Sequence, residues 1–534
     1  MPGFGLSWRA GSKTLLIRLA PGAPSAYPGH RFLKEGPLRA SAPRLLALLA
    51  GLLMCAVAIW RLEDARAGLS ITPLAVGSTP ATVYRRADGE RAPAVIVAHG
   101  FAGSRQLMEA YALTLAQAGY VVVSFDFEGH GRNPTPMHGD VTRIEGTTQI
   151  LMREVGRVTD AALALPFVDG RVALLGHSMA SDILVRQALA DPRVAAVVAV
   201  SMFSEAVTGT APRDLLMISG AWESWLRANA LANARLADPA AAEGATVGDP
   251  ARGTGRRAVA APDVEHVGVL YSPTALAEAR SWLDAVFKRD SAGPVAATGG
   301  WIALLLAGIV TLAWPLAVLL PKGGPPPAAL PWRPFLLAVL IPAIVTPLAL
   351  RPIDTHFLPV LVADYLAVHF LVYGALSLVV LRLCGVRIGR VAWASGVALA
   401  LYGVLVFGGA MDRYVASFMP IPARLPIIAA IAVGTIPYML ADSLVTECGR
   451  ASFLRVFVAR GVFLASLGAA VALDFQRLFF LIIIIPVIVL FFVVFGLMGG
   501  FVGRRTLSPG AVGLGLGLIL AWSLGVAFPM VAAG

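Results

Sequence analysis

The chain has 534 residues, of which 57% are hydrophobic and only 14% are charged, and its mean hydropathy is +0.74. A soluble protein would carry about 25% charged residues, so this composition excludes an ordinary soluble protein and predicts one that lies at least partly in a membrane. The formal net charge of +11 does not indicate a nucleic-acid partner, because the basic residues are not interleaved with aromatic residues and mostly flank apolar segments.

The first 44 residues are basic and rich in proline and glycine, and they predict a disordered cytoplasmic tail. Next comes the unbroken apolar stretch LLALLAGLLMCAVAIW, which predicts a retained transmembrane anchor over residues 45–62. A cleaved signal peptide is the alternative, but the basic segment before the stretch is too long and no Ala-x-Ala cleavage site follows promptly.

Residues 63–297 hold most of the acidic residues, and apolar runs such as PAVIVAHG, GYVVVSFDF and RVALLGHS alternate there with helical patterns. Continuous Val, Ile and Leu runs separated by helices are typical of a mostly parallel sheet with helices on both faces. We therefore predict an α/β domain in this region. The three cysteines, Cys55, Cys384 and Cys448, all lie outside it, in or beside apolar stretches, so a disulfide framework is not expected.

Residues 298–534 predict a membrane domain of about eight transmembrane helices. Polar residues inside membrane spans are costly, and Asp364, His369 and Asp442 are therefore either partners in packing hydrogen bonds or parts of a proton or substrate path. The candidate spans lie at about 300–320, 333–350, 357–381, 391–410, 425–446, 453–473, 477–499 and 510–531.

Basic residues mark alternate loops between these spans, on the same side of the membrane as the basic N-terminal tail. Positive charge is retained on the cytoplasmic side, so we predict that the tail is cytoplasmic in an inner membrane of bacterial type. The α/β domain, one crossing later, is then expected on the periplasmic side. The loops carry Lys322 with Arg333, Arg382 with Arg387 and Arg390, Arg450 with Arg455, and Arg504 with Arg505.

The segment RVALLGHSMASDILV places Ser178 between an apolar run and a helical pattern, in the order Gly176-His177-Ser178-Met179-Ala180. This G-x-S-x-A pattern is typical of a nucleophile elbow, a tight strand-to-helix turn that needs small residues two before and two after the serine. A serine hydroxyl is a weak nucleophile and must be held clear of its surroundings beside a base. The alternative is an ordinary serine at a helix N-terminus.

The segment VIVAHGFAGS ends another predicted strand, and the backbone N–H of Phe101 can pair with that of Met179 to face a developing oxyanion. The next strand, GYVVVSFDFEGHGRN, ends in a Gly-His-Gly loop. Together these segments resemble the α/β-hydrolase superfamily, and the dienelactone hydrolases and serine aminopeptidase-like domains are the most similar variants. The resemblance covers residues 70–290 and implies the α/β-hydrolase fold, but it is weak evidence about the substrate.

In that superfamily the serine is followed along the chain by an acid and then by a histidine. The acid commonly follows a strand as G-x-x-D, and here that spacing after DLLMISG gives Glu223 in place of the commoner aspartate. His266 is the one histidine between the elbow and the membrane domain, so the resemblance implies that it is the base. Asp263, three residues before it, is the competitor for the role of the acid.

These observations predict a membrane-integrated serine hydrolase that cleaves an acyl ester through Ser178, His266 and Glu223, with the N–H groups of Phe101 and Met179 as oxyanion hole. The membrane setting favours a lipid substrate, and no cofactor or metal is expected. One alternative is an acyltransferase or peptidase of the same fold. Another is a transporter or scaffold protein with an accessory hydrolase domain. Substrate-binding residues and oligomeric state stay open.

Overall fold

The computed structural model describes residues 37–139, 144–324, 329–389 and 391–532. The first helix, α1 (Pro37–Asp64), contains the predicted anchor. The predicted basic tail lies mostly in residues 1–36, outside the described residues.

A nine-stranded sheet forms the centre of the α/β domain, in the order β1-β2-β4-β3-β5-β6-β7-β9-β8. The six strands β4, β3, β5, β6, β7 and β9 run parallel, whereas β1, β2 and β8 are antiparallel additions at the two edges. The strands are β1 (Leu69–Val76), β2 (Thr79–Arg86), β3 (Ala92–Ala98), β4 (Val121–Phe125), β5 (Val168–His177), β6 (Val194–Val200), β7 (Leu215–Gly220), β8 (Thr246–Val247) and β9 (Arg256–Ala261).

Helices cover both faces of this sheet, because its central strands are apolar on both sides. In β3, Ala94 and Ile96 belong to the core under α3 and α4, whereas Val95 and Val97 belong to the core under α2 and α6. This arrangement confirms the predicted α/β architecture with a mostly parallel sheet. The helices of this domain are α2 (Glu109–Gln117), α3 (Gln149–Leu163), α4 (Met179–Ala190), α5 (Ser224–Arg235) and α6 (Pro273–Phe287).

Within the described residues, nine helices, α1 included, are long and apolar enough to cross a membrane, which indicates a multi-pass membrane protein. Helices α12 and α16 pack closely because α16 carries glycine where they touch. A Cβ on Gly513 or Gly517 of α16 would lie 2.6 Å from a Cα atom of α12. The helices after the α/β domain are α7 (Gly299–Leu316), α8 (Trp332–Leu350), α9 (Ala363–Leu383), α10 (Trp393–Leu401), α11 (Gly408–Tyr414), α12 (Leu425–Val445), α13 (Phe453–Leu473), α14 (Phe475–Leu478), α15 (Leu481–Thr506) and α16 (Pro509–Ala527).

Two of these spans continue at least four residues beyond the ends expected from hydropathy. The span expected from residue 391 to 410 consists of α10 and α11, joined by a π-helical segment, Tyr402–Phe407, and it continues to Tyr414. The span expected at 477–499 begins at Leu481 and continues to Thr506. Gly499 and Gly503 let this part of the helix pack closely against its neighbours, because a Cβ there would lie 2.6 Å from Leu516 Cδ1 and 2.5 Å from the Cys448 carbonyl oxygen.

The α/β domain is attached to the helix bundle through the loop that follows β4. The guanidinium of Arg424, which is buried in the bundle, donates hydrogen bonds to the carbonyls of Gly525, Phe528 and Gly129 at 3.0, 2.7 and 2.9 Å. The backbone N–H of Met530 donates to the same Gly129 carbonyl at 2.8 Å, and Met137 N–H donates to the Met530 carbonyl at 2.9 Å. We call these contacts the interdomain interface.

Glu154 on α3 holds the other side of this loop. Its carboxylate is buried and accepts hydrogen bonds from the Glu128 N–H at 2.9 Å, the Asn133 amide at 3.0 Å and the Thr79 hydroxyl at 2.6 Å. Burial raises the pKa of Glu154 to about 7, because the charged form loses its hydration. The folded protein therefore holds this proton more tightly than the unfolded chain does.

We expect Glu154→Gln to flatten the pH dependence of stability. In the wild type, the stabilisation from protonated Glu154 is complete below a pH of about 4.5 and is lost as the pH rises through about 7. The apparent melting temperature in detergent should therefore fall more between pH 5 and pH 8 in the wild type than in the variant. Glu145→Gln, at an exposed residue, is the control and should behave as wild type. Equal slopes in all three proteins would contradict the role of Glu154.

Candidate active site

Ser178 lies in the tight turn between β5 and α4, with backbone angles φ 54° and ψ −119°. A non-glycine residue at positive φ is strained, and such strain is typical of functional turns. The turn needs small neighbours, because a Cβ on Gly176 would lie 2.5 Å from Leu184 Cδ1 and 3.0 Å from Ala180 Cβ. The hydroxyl is thereby held at the carboxyl edge of the parallel sheet.

The structure brings the three predicted side chains together. His266, in the loop after β9, places its Nε2 3.0 Å from Ser178 Oγ and its Nδ1 2.5 Å from Glu223 Oε1. Glu223 follows β7, so all three residues lie beyond the carboxyl ends of parallel strands. Asp263, the competing acid, makes no hydrogen bond to His266 within the described part of the chain.

The other oxygen of the Glu223 carboxylate is held by two further donors. Ser201 Oγ and the Gly220 N–H donate to Oε2 at 2.7 and 2.6 Å. Burial opposes ionisation of Glu223, but the hydrogen bond from His266 and those to Oε2 outweigh burial and hold the pKa below its ordinary value. Sequence reasoning assigned Ser201 no role, although its place just after β6 puts it at the same edge of the sheet.

The partners of His266 set its tautomer. A carboxylate can only accept, so Nδ1 carries the proton that is shared with Glu223. In the neutral imidazole Nε2 then carries no proton, and it faces the Ser178 hydroxyl, which can donate to it. This arrangement can raise the nucleophilicity of the serine by removing its proton.

Three other histidines lie beside the site and are buried. His177 donates from Nε2 to the His266 carbonyl at 2.9 Å, and burial lowers the pKa of His177 to about 3. Burial also lowers the pKa of His99 to about 4 and that of His130 to about 3. They are neutral at physiological pH, and they pack and orient the loops around the site.

The N–H groups of Phe101 and Met179 have no hydrogen-bond acceptor among the described residues, and both residues line the cavity in front of Ser178. The loop that carries Phe101 approaches the elbow closely, because a Cβ on Gly100 would lie 3.0 Å from Ser178 Cβ. The ring of Phe101 stacks on Phe480 of the bundle with their centroids 5.0 Å apart.

A cavity of about 570 Å³ opens in front of Ser178 and His266. Phe480 and Ile483, at the start of α15, form part of its wall, so the cavity belongs to both the α/β domain and the bundle. The exposed rings of Phe203 and Trp225, 5.0 Å apart, stand at its rim. One charged pair, Asp182 with Arg186, also lines it.

Comparison with known proteins identifies the fold. Residues 89–255 match the family model described as serine aminopeptidase, S33. No curated protein matches the chain.

One similar solved structure is a hypothetical protein from Pseudomonas aeruginosa, with 23% identity over 26% of this chain and 44% of that chain and a TM-score of 0.22. Another is an epoxide hydrolase from Vigna radiata, with 21% identity over 25% of this chain and 39% of that chain and a TM-score of 0.21. A third is a membrane phospholipase A described as a bacterial virulence factor, with 21% identity over 33% of this chain and 52% of that chain and a TM-score of 0.22. The chain thus spans between 39% and 52% of the length of these structures. Taken with the sheet topology, the family match shows that the α/β part of this chain has the α/β-hydrolase fold.

Proposed function

We propose that this chain is a membrane-integrated serine hydrolase that cleaves an acyl ester. The observation that carries the proposal is the hydrogen-bonded chain from Ser178 through His266 to Glu223, with the serine on a strained turn that faces a cavity. Two backbone N–H groups without acceptors among the described residues lie beside it. These parts together suit nucleophilic attack on an acyl carbonyl.

The first half of the proposed reaction forms an acyl-enzyme. Ser178 Oγ attacks the carbonyl carbon while His266 Nε2 takes the hydroxyl proton, and Glu223 stabilises the imidazolium that results. The N–H groups of Phe101 and Met179 stabilise the oxyanion of the tetrahedral intermediate. The intermediate collapses when the bond to the ester oxygen breaks, and His266 gives its proton to the departing alcohol.

The second half releases the acyl group. Water enters, His266 Nε2 takes one of its protons, and the oxygen attacks the acyl carbonyl. Collapse of this second intermediate returns the proton to Ser178 Oγ and frees the carboxylic acid. An acyltransferase would use another alcohol or amine in place of this water.

The cavity supports a lipid as the source of the ester. Its wall is mostly apolar, and Ile483 belongs to a helix long and apolar enough to cross the membrane, with Phe480 directly before that helix. A long acyl chain can therefore stay in apolar surroundings while its ester bond reaches Ser178. A peptide would leave many backbone groups without partners against such a wall.

We expect Ser178→Ala to abolish both fluorophosphonate labelling and hydrolysis of p-nitrophenyl esters, because the nucleophile is removed. Ser219→Ala is the matched control: this serine on β7 is buried, and its hydroxyl has no hydrogen-bond partner in the described part of the chain. The control should label and turn over as wild type. Labelling that persists in Ser178→Ala, or that maps to Ser201, would overturn the assignment.

We expect Glu223→Gln to reduce kcat by about 10⁴-fold, because an amide no longer holds the required tautomer of His266 or offsets its charge. Glu223→Asp should retain part of the activity, since the charge survives at a shorter reach. Asp263→Asn is the matched control and should be close to wild type. An active Glu223→Gln with an inactive Asp263→Asn would transfer the role of the acid to Asp263.

We further propose that the hydrolase domain is periplasmic and that the basic loops are cytoplasmic. The distribution of arginine over alternate loops supports this orientation. An impermeant maleimide applied to spheroplasts should label a cysteine introduced at exposed Asp249 in a Cys384→Ala background. The native Cys384, exposed beside the basic end of α9, should label only after lysis. The opposite pattern would reverse the orientation.

A further inference from the structure

A second cavity, of about 540 Å³, lies in the helix bundle between α13 and α15, with α12 and α16 behind it. It is separate from the cavity at Ser178, since the two share no lining residue. It lies toward the ends of α12 and α15 and the start of α13, where the basic loops are. We call it the bundle groove.

An ion pair between buried Asp442 and partly buried Arg460 lies at the back of the bundle groove. Arg460 donates two hydrogen bonds to the Asp442 carboxylate, from Nε at 3.2 Å and from Nη2 at 3.0 Å. Its Nη1 donates a third, to the Phe492 carbonyl, at 3.0 Å. The guanidinium lies directly on the backbone of α15, because a Cβ on Gly496 would be 2.5 Å from Nη1. These contacts use only part of the donor capacity of Arg460, since each terminal nitrogen carries two hydrogens.

A second arginine, Arg504, also lines the bundle groove, nearer to the end of α15. Arg504 Nη1 donates to the Gly449 carbonyl at 2.7 Å and would lie 3.2 Å from a Cβ on Gly500. Gly496 and Gly500 are four residues apart and so share one face of the helix. The two arginines and Asp442 give the groove a net charge of +1.

The outer wall of the groove is apolar and open to the surroundings. Phe453 and Phe457 on α13 are 84% and 65% exposed, and Leu497 on α15 is 51% exposed. In a membrane such a wall faces acyl chains. The Arg504 guanidinium lies against Gly500 near the end of α15, on the headgroup side, whereas that of Arg460 lies against Gly496, about 6 Å deeper along the helix.

We propose that the bundle groove binds one anionic phospholipid. Its phosphate contacts Arg504, the remaining donors of Arg460 reach the ester carbonyls below, and an acyl chain lies along Gly461 and Leu497. The charge of the groove complements a lipid with a net negative charge better than a zwitterionic one. The apolar wall distinguishes this ligand from a free anion, which would gain nothing from it. This inference does not depend on the proposed hydrolysis.

The test measures lipid binding to the purified full chain in detergent by native mass spectrometry. The probes are diacyl phosphatidylglycerol, diacyl phosphatidylcholine and inorganic phosphate, and every protein in the test carries Ser178→Ala, so that the ester carbonyls that Arg460 is proposed to bind stay intact. We expect phosphatidylglycerol to be retained at one lipid per chain and phosphatidylcholine to bind at least several-fold more weakly. Equal retention of the two lipids, or competition by inorganic phosphate alone, would overturn the proposal.

Two pairs of variants locate the lipid. A Cβ on Gly461 or on Gly468 of α13 meets nothing within 4 Å, so leucine fits at both positions, but only Gly461 lines the groove. Gly461→Leu should abolish retention, whereas Gly468→Leu should leave it unchanged. Arg504→Gln should weaken binding about fivefold, and Arg382→Gln, at an exposed arginine of α9 outside the groove, should not. Undiminished binding in Gly461→Leu would place the lipid elsewhere and refute the site.

Discussion

The guanidinium of Arg424 is the contact on which the arrangement of the two halves depends. It is wholly buried, and a buried cation is costly unless it is hydrogen-bonded. Three backbone carbonyls accept from it: Gly525 and Phe528 at the end of the bundle, and Gly129 in the loop after β4. The loop is thereby tied to the bundle at a place where losing the Gly129 carbonyl would leave the buried Nη2 without an acceptor.

This attachment explains why the candidate active site contains membrane residues. The loop after β4 carries His130, whose ring packs edge-on against that of Phe101 with the ring centroids 5.8 Å apart. Phe101 in turn stacks on Phe480. The loop that supplies one proposed oxyanion donor is therefore held between the hydrolase domain and the first residues before α15. The bundle forms part of the wall of the cavity at Ser178, and for this reason we favour a membrane lipid over a soluble ester as the proposed substrate.

The parts that the sequence predicted are those with a local physical cause. The elbow around Ser178 follows from small residues at fixed spacing, and the sheet follows from apolar runs, so the fold class was confirmed. Glu223 and His266 came from the chain order of a resembling superfamily; the structure brings them to Ser178, and their roles stay a proposal. Ser201, Phe480 and Arg460 were missed because their partners are distant in sequence, and no periodicity or spacing indicates such contacts.

The most direct test of this account is the release of fatty acid from bilayer lipids by the full chain reconstituted in vesicles of ester-linked phospholipids. We predict that free fatty acid accumulates with the wild type and not with Ser178→Ala, because the cavity receives the acyl chain beside Phe480 and Ile483 and presents its ester to the serine. A wild-type protein that hydrolyses p-nitrophenyl butyrate in the same vesicles but leaves every phospholipid intact would contradict the account.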